Sequence, residues 1–470
     1  MRDANETDEL LSDVARRAAR YLDGLRTRRV APDASALKAL ATLDEPLPST
    51  GCAPRDVIAL LDGTGSPATV ATAGPRYFGF VIGGSFPVAT ASNWLVTAWD
   101  QCAGLTAMSP VSSRIETVTA RWISELLQLP QDTAVGFVTG STTAHTTALL
   151  AARRALYLKV GWDVDRKGLV GAPPITVVAT EDVHGSVVKA LGVIGLGRDS
   201  VVLVSVDGQG RMEVSRVPPL GPLTILIAQA GNVNSGSFDD LAALAQLAAD
   251  SEAWFHVDGA FGAWARLSPT HEHLVRGLER ADSMATSAHK LLNVPYDSAI
   301  VTCRHPRIIE DALSMRTVYA LDSSEREPNH FTLEGSRRAR GIDIWAVLKC
   351  LGSRGLSAHI EACCANARTF AEVLAEGGIR ILNDVVFNQV LFDLGQAEER
   401  DRTLSLIQAD GTCWVGPTAW RGVPACRASF CGWSTTVEDA MRSAEAVLRV
   451  RNTDASSNSF GKVPSVPHTK

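Results

Sequence analysis

The chain has 470 residues, of which 46% are hydrophobic and 20% charged, a composition typical of a folded globular protein rather than a disordered or fibrous one. Lysine and arginine total 45 against 51 acidic residues, so the net charge of -6 offers no broad cationic field for a nucleic-acid backbone. No stretch approaches the roughly 20 consecutive apolar residues that span a bilayer. We therefore expect neither a nucleic-acid partner nor a membrane partner.

The amino-terminal residues and the cysteines indicate the cellular compartment. The first ten residues are polar and acidic, unlike the basic and then apolar start of a secretory signal. The nine cysteines contain no Cys-x-x-Cys pair, and adjacent Cys363 and Cys364 suit neither a zinc site nor a disulfide framework. We predict reduced cysteines, no metal site and a cytoplasmic location.

The predicted elements divide the chain into four segments. Residues 1–75 mix a helical pattern with Pro- and Gly-punctuated connections and predict an N-terminal helical segment. Residues 76–335 form the predicted large domain, in which β-branched runs alternate with Ala- and Leu-rich helical stretches. Residues 336–451 favour a small α+β domain, and the Ser-, Pro- and Asn-rich residues 452–470 favour a disordered tail.

The alternation of strands and helices in the large domain is typical of an α/β fold with a parallel sheet covered by helices. A polar, breaker-rich loop at 321–335 is long enough to act as an active-site lid. The candidate strands of the large domain are 135–138, 175–179, 201–204, 223–228, 253–257, 283–285 and 298–302, and those of the small domain are 389–394 and 425–430.

Ligands of open parallel sheets bind beyond the carboxyl ends of the strands, which directs attention to the turn after residues 135–138. That turn is rich in small residues and opens a helix. Its backbone N–H groups, its hydroxyls and the positive end of the helix dipole are suited to a phosphate, although ordinary helix capping explains the same residues. The phosphate candidates are Gly140, Ser141, Thr142 and Thr143.

Two ionisable residues follow other predicted strands. Asp258 ends the strand 253–257 in an apolar context, where a buried carboxylate needs a cationic partner. Lys290 follows the strand 283–285, where desolvation favours a nucleophilic amine that forms Schiff bases. Singly, Asp258 could cap a turn and Lys290 could extend to solvent. Together with a phosphate site, they match the needs of pyridoxal phosphate.

The order of His256-Val-Asp258-Gly-Ala-Phe, Asp282-Ser and Ala288-His289-Lys290 resembles the group II amino-acid decarboxylases among the fold-type I pyridoxal-phosphate enzymes. The resemblance covers roughly residues 78–433. It implies a large domain like that of aspartate aminotransferase, with a mostly parallel seven-stranded sheet, and a small C-terminal α+β domain. It also implies a homodimer with shared active sites, in which the N-terminal segment contributes to dimerisation.

The family pattern also implies roles for single residues. Lys290 matches the lysine that forms the Schiff base with the cofactor, Asp258 matches the partner of the pyridinium nitrogen, and His184 matches the histidine that stacks on the cofactor ring. The positions that match contacts to the phosphate are Thr142, Thr143, Ser287 and His289. Asn232 and Asn234 match a segment that reaches the phenolic oxygen of the cofactor.

The substrate pocket is implied at Phe78, Phe80 and Val81, part of it from a partner subunit, and Arg427 resembles an arginine that grips the substrate carboxylate in related aminotransferases. An ion-paired structural role for Arg427 is an equal alternative.

The chain departs from the family pattern in the predicted lid, which carries no tyrosine between residues 321 and 335, although many family members use a loop tyrosine to protonate the carbanion. His330 is a candidate replacement acid, Tyr319 lies upstream, and a solvated His330 is the competing interpretation.

These observations predict an enzyme that joins an amino-acid substrate to pyridoxal phosphate as an external aldimine and removes the α-carboxylate to give an amine. Alternatives on the same scaffold are oxidative deamination coupled to decarboxylation, β-elimination and transamination. A non-catalytic scaffold protein is the alternative outside enzymology.

Overall fold

The computed structural model describes residues 4–314 and 326–459. Several helices begin where the sequence provides a start signal: Pro87, Pro110 and Pro306 each occupy the first helical position, where a missing N–H costs nothing. The helices are α1 (Ala4–Gly24), α2 (Ala34–Ala39), α3 (Pro54–Leu60), α4 (Ser66–Ala68), α5 (Pro87–Trp99), α6 (Pro110–Leu126), α7 (Ser141–Lys159), α8 (Val164–Lys167), α9 (Gly185–Val193), α10 (Leu241–Asp250), α11 (Pro306–Leu313), α12 (Arg340–Glu376), α13 (Ala397–Asp410) and α14 (Val437–Ser459).

Seven strands form the main sheet, and each lies within one or two residues of a predicted strand. They are β1 (Ala134–Val138), β2 (Thr176–Thr180), β3 (Val201–Val204), β4 (Thr224–Gln229), β5 (Trp254–Asp258), β6 (Ser283–Ser287) and β7 (Ala299–Cys303). The predicted α/β class with a mostly parallel seven-stranded sheet is confirmed.

The strand order of the main sheet is β1-β7-β6-β5-β4-β2-β3. Strands β2 to β6 pair in parallel with their neighbours, whereas β7 is antiparallel to both β1 and β6. Because β5 and β6 are adjacent and parallel, Asp258 pairs in register with Ala285, and the residues that follow β6 emerge at the same edge as Asp258. This register positions the candidate site.

Five of the seven strands are buried along their whole length, as expected for a sheet covered by helices. All residues of β1, β4, β5, β6 and β7 are buried, and the core on one side includes Leu149, Leu156 and Ala190 from α7 and α9. Burial of both faces explains why most of these segments are largely apolar, which made them recognisable in the sequence; β6, with three hydroxyl side chains, is the exception.

The chain divides into two compact units. One comprises the described residues of 1–82, 366–382 and 391–470, and the other comprises 83–365 and 383–390. The main sheet lies in the second unit. The domain boundaries predicted at residues 75, 335 and 451 stay a prediction.

A second sheet of three strands contains β8 (Gln389–Phe392), β9 (Gly416–Trp420) and β10 (Val423–Ser429), in the order β8-β10-β9. Strand β9 was not predicted because its sequence starts with Gly416 and Pro417, which are poor strand formers. The β9–β10 hairpin turns at Arg421 and Gly422, whose φ angles are +50° and +77°, as a type I′ turn requires.

The last helix is longer than the sequence indicated. The predicted disordered tail begins at residue 452, but α14 continues to Ser459. Asp454 accepts hydrogen bonds from Arg402 and Thr403 of α13, and these contacts hold the helix beyond the predicted boundary. Residues 460–470 lie outside the described residues.

Within 4–314 and 326–459, no helix is both long and apolar enough to cross a membrane. The same residues contain no group of three or more His, Cys, Asp or Glu side chains placed to hold a metal ion. All nine cysteines are free thiols.

Candidate active site

The amino terminus of α7 forms one end of the candidate site. The first N–H groups of a helix have no partner within the helix, so they are available to an anion. Hydroxyl groups surround them: Thr139 Oγ1 lies 2.8 Å from Thr143 Oγ1, and Ser141 Oγ lies 2.6 Å from Ser287 Oγ. The last contact joins the turn after β1 to the end of β6, so the structure brings two of the predicted phosphate segments together.

His289 adds a further donor to this end of the site. Its ring stacks on Tyr296 with centroids 4.4 Å apart, and its Nδ1 accepts the backbone N–H of Ser298 at 3.2 Å. Burial, together with the charge of Lys290, lowers the pKa of His289 to about 4. The ring is therefore neutral at pH 7 and carries its proton on Nε2, which is suited to donate to a phosphate oxygen.

Lys290 follows His289 at the carboxyl edge of the sheet. Its Nζ lies 5.6 Å from the centroid of the Phe261 ring. A side chain at Gly83 would bring Cβ within 1.9 Å of the Lys290 carbonyl oxygen, so only glycine permits this close approach. Asn293 donates to the same carbonyl at 3.0 Å. These contacts fix the backbone from which the lysine projects.

Asp258 lies at the end of β5 and is 6% exposed. Burial raises the pKa of its carboxyl, but the interaction with His145, ahead of those with His184 and Lys290, holds that pKa below its ordinary value. His145 Nε2 is 3.5 Å from Asp258 Oδ2. Asp258 is therefore an ionised carboxylate inside the fold, which is the state that a protonated pyridine nitrogen requires.

His184 caps the amino terminus of α9 and is exposed. Its Nδ1 accepts the backbone N–H of Ser186 at 3.2 Å and lies 2.7 Å from Ser186 Oγ, so the ring is anchored at one nitrogen. His184 is also one of the groups that lower the pKa of Asp258. Stacking of this ring on a cofactor stays a prediction.

The two predicted asparagines follow β4. Asn232 is 1% exposed, and its Oδ1 accepts the backbone N–H groups of Asn234 and Ser235 at 2.9 and 3.2 Å. Its Nδ2 donates to Asp182 at 3.4 Å. Asn232 therefore holds the turn together, and a direct contact of either asparagine with the cofactor stays a prediction.

The predicted substrate residues belong to the first unit. Phe78 is 1% exposed and stacks on Phe430 with centroids 4.3 Å apart, whereas Phe80 is 66% exposed. Phe80 and Val81 have φ angles of +51° and +58°. This backbone conformation is strained, above all for the β-branched Val81, and such strain is found preferentially at functional sites. Arg427 lies on β10, and burial lowers the pKa of its guanidinium. Their roles toward a substrate stay predictions.

His330 lies in a short 3₁₀ turn, Pro328–Phe331, and is half-buried. A Cβ at Gly136 would lie 2.1 Å from the Phe331 carbonyl oxygen, so this turn packs directly on β1. Tyr319 and the other residues of 315–325 lie outside the described residues. Whether His330 acts as an acid stays a prediction.

The donor set fits pyridoxal phosphate. Helix N–H groups, hydroxyls and the neutral His289 suit a phosphate at one end, and the ionised Asp258 suits a protonated pyridine nitrogen. Lys290, at the same sheet edge, supplies the amine that a pyridoxal aldehyde requires. The analysis of the sequence missed His145, although it belongs to the same turn-to-helix segment; its signal was a histidine one helical turn after Ser141.

Comparison with known proteins agrees with this chemistry. The chain is 29% identical over 331 residues to an aromatic-L-amino-acid decarboxylase of Bacillus atrophaeus, a match that covers 66% of this chain and 65% of that protein. It is 27% identical over 344 residues to a cysteine sulfinic acid decarboxylase of Mus musculus, covering 69% of this chain and 68% of that protein.

Two solved structures share the fold. The structure of Oryza sativa TDC with PLP and tryptamine has a TM-score of 0.87 at 20% identity, covering 96% of this chain and 99% of that one. The Rhodiola rosea 4-hydroxyphenylacetaldehyde synthase has a TM-score of 0.83 at 19% identity, covering 97% and 99%. The family model of the pyridoxal-dependent decarboxylase conserved domain matches residues 67–395. This chain therefore belongs to the pyridoxal-dependent decarboxylase family, whose members are lyases that use pyridoxal phosphate.

Proposed function

We propose that this enzyme removes the α-carboxylate of an amino acid as carbon dioxide and releases the amine. The observation that carries the proposal is the ionised, buried Asp258 at the same sheet edge as Lys290. A carboxylate kept charged inside the fold is useful only opposite a positive charge, and a protonated pyridine nitrogen supplies one.

Each residue of the site has a task in this reaction. When bound, pyridoxal phosphate supplies an electron-accepting ring that stabilises negative charge at the α-carbon of the substrate. Asp258 would hold the ring nitrogen in its protonated form, and Lys290 would supply the amine that binds the aldehyde. The α7 terminus and His289 would hold the phosphate, and His184 would stack on the ring.

Proton delivery to the α-carbon decides the product. We assign this task to His330, because the loop at 321–335 has no tyrosine. A second candidate function follows from the same observation: without a side chain that delivers this proton, dioxygen would act as the oxidant of the overall reaction. The amino acid, dioxygen and water then give an aldehyde, carbon dioxide, ammonia and hydrogen peroxide. The structure from Rhodiola rosea that shares this fold is named an aldehyde synthase, and this name supports testing for an aldehyde product.

The names of the relatives define the substrates to test: aromatic amino acids, cysteine sulfinic acid and, as another acidic amino acid, glutamate. The purified enzyme, saturated with pyridoxal phosphate, is incubated with each while carbon dioxide, amine, aldehyde and oxygen uptake are measured. We expect carbon dioxide and amine in equal amounts with at least one substrate. Aldehyde with matching oxygen uptake establishes the oxidative function instead, and no carbon dioxide from any amino acid refutes both.

Lys290→Ala is the matched variant, because it removes the amine together with the side chain that carries it. We expect it to lose the absorbance band of covalently held cofactor together with turnover. A variant that retains the band would show that another residue holds the aldehyde.

We also propose that the enzyme is a cytoplasmic homodimer with shared active sites. The N-terminal helical segment presents large apolar side chains to its surroundings: Leu11, Leu37, Leu47 and Leu61 are 62%, 50%, 95% and 59% exposed. A second copy of the chain would cover them, since such surfaces mark protein interfaces. The nine free thiols favour a reducing compartment. Light scattering that gives a monomer mass for fully active enzyme would contradict the dimer.

A further inference from the structure

A line of buried polar side chains runs from Asp258 into the interior of the second unit. His145 Nε2 lies 3.5 Å from Asp258 Oδ2, and His145 Nδ1 lies 2.9 Å from His256 Nε2. His256 Nδ1 lies 2.8 Å from Ser283 Oγ, which also accepts the indole N–H of Trp254 at 2.9 Å. His145 and His256 are both 0% exposed. Helix α7 and strands β5 and β6 thus contribute to a single connected line.

The two ends of the line fix its hydrogens. The ionised carboxylate of Asp258 can only accept, so His145 carries a proton on the Nε2 that faces it. The indole N–H of Trp254 can only donate, so Ser283 Oγ accepts it. Between these ends, one hydrogen lies between the two histidines and another between His256 and Ser283. Each histidine is thereby held in one ring orientation.

Burying this many polar groups costs free energy of folding, so we expect the line to have a role beyond packing. Three groups face Asp258: His145 from α7, His184 from the start of α9 and Lys290 after β6. Burial drives the carboxyl of Asp258 toward its neutral form, and His145 is the foremost of the three in opposing this. Without the support of His256, the His145 ring would lose its anchor on the side away from Asp258.

We propose that His145 is a positioning residue of the cofactor site, held by His256, Ser283 and Trp254 so that it keeps Asp258 ionised and aimed at the pyridine nitrogen. The proposal rests on the proposed role of Asp258 opposite that nitrogen. It requires no particular substrate or product, so measurements of cofactor binding test it independently of the reaction catalysed.

The test compares His145→Leu with His145→Gln in the full chain, by titration with pyridoxal phosphate and by the absorbance of the bound cofactor from pH 6 to 9. His145→Leu removes the polar ring that lies 3.5 Å from the Asp258 carboxylate, so we expect the dissociation constant to rise by about tenfold or more. We also expect a shift in the pH at which the absorbance of the bound cofactor changes. The amide of His145→Gln can still donate to Asp258, and we expect it to recover most of both properties.

Trp254→Phe tests the far end of the line, because it keeps an aromatic ring and removes the indole N–H together with part of the ring volume. Trp264→Phe is its matched control: Trp264 is also fully buried, and its indole nitrogen has no hydrogen-bond partner among the residues that the structure describes. We expect Trp254→Phe to weaken cofactor binding several-fold and Trp264→Phe to leave it unchanged.

Cofactor binding and absorbance in His145→Leu that equal those of the wild type would overturn the proposal. Equal effects of Trp254→Phe and Trp264→Phe would also overturn it, since they would indicate loss of packing alone. If His145→Leu does not fold, the comparison of the two tryptophan variants decides.

Discussion

At the scale of single residues, the charge of Asp258 is the property most open to test. Asp258→Asn keeps the size of the side chain but cannot be an anion, so the pyridine nitrogen loses the group that holds its proton. We expect the variant to fold and, at saturating pyridoxal phosphate, to bind the cofactor, with turnover lower by about a hundredfold or more. Rates and cofactor absorbance are measured beside Asp250→Asn, which changes an exposed carboxylate at the end of α10. Near-normal turnover in Asp258→Asn would show that its role is misassigned.

The assignment of His330 gives a second prediction at this scale. A general acid typically contributes at least about a hundredfold to the rate of its step. His330→Gln is therefore expected to lower amine formation strongly and to raise the share of aldehyde and oxygen consumption. Product ratios measured under air and under nitrogen check this. An unchanged ratio of amine to aldehyde would place the proton donor elsewhere in the chain.

The two ionisable residues Asp258 and Lys290 were predictable because each follows a recognisable strand. The carboxyl ends of parallel strands share one edge, so Asp258 and Lys290 had to be near each other once the sheet was recognised. His145 was not predictable in the same way. Its partner depends on how the face of α7 is rotated against β5, and this is decided by side-chain packing along the whole helix.

At the scale of elements, helix α6 is tied to the segment before α12 by a buried ion pair. Arg337 donates to both carboxylate oxygens of Glu116 at 2.7 and 2.8 Å, and both side chains are 1% exposed. A second guanidinium, that of Arg326, lies 3.8 Å from the same carboxylate. Glu116→Leu leaves two cations in the interior, so we expect a loss of about 3–5 kcal/mol of unfolding free energy in urea.

The same helix offers a matched control for this prediction. Glu125 pairs with Arg121 at 3.6 Å, but their side chains are 64% and 65% exposed, so Glu125→Leu is expected to cost less than about 1 kcal/mol. The double variant Glu116→Leu with Arg337→Met should be more stable than Glu116→Leu alone, because one uncompensated charge is removed. Equal losses in Glu116→Leu and Glu125→Leu would refute the structural importance of the buried pair.

Elements were predictable where the sequence pattern and burial agree. Most strands of the main sheet are largely apolar, and five of them are buried along their whole length. In contrast, β9 alternates half-buried and exposed positions and begins with Gly416 and Pro417. The continuation of α14 beyond residue 452 depends on the contacts of Asp454 with α13. Such contacts form between residues far apart in the sequence, so the local composition does not indicate them.

At the scale of the whole molecule, buried titratable groups make stability depend on pH. Burial, together with the neighbouring His145, lowers the pKa of His256 to about 3, compared with about 6.5 in an unfolded chain. Between these values the unfolded chain binds a proton that the folded chain excludes, so stability falls as the pH falls from 6.5. Burial raises the pKa of Asp239 to about 6, and this carboxyl acts in the opposite direction, stabilising the fold as the pH falls through 6.

Because the two groups oppose each other, the difference between wild type and His256→Gln isolates the histidine. At pH 7.5 the variant is expected to be less stable, since it interrupts the line between His145 and Ser283. As the pH falls from 6.5 to 4, the wild type loses roughly 3 kcal/mol through His256 that the variant does not lose, so the gap between them narrows by that amount. Urea unfolding at pH 7.5 and pH 4, each with saturating pyridoxal phosphate, measures the gap. A gap that stays constant would mean that His256 is protonated in the folded chain.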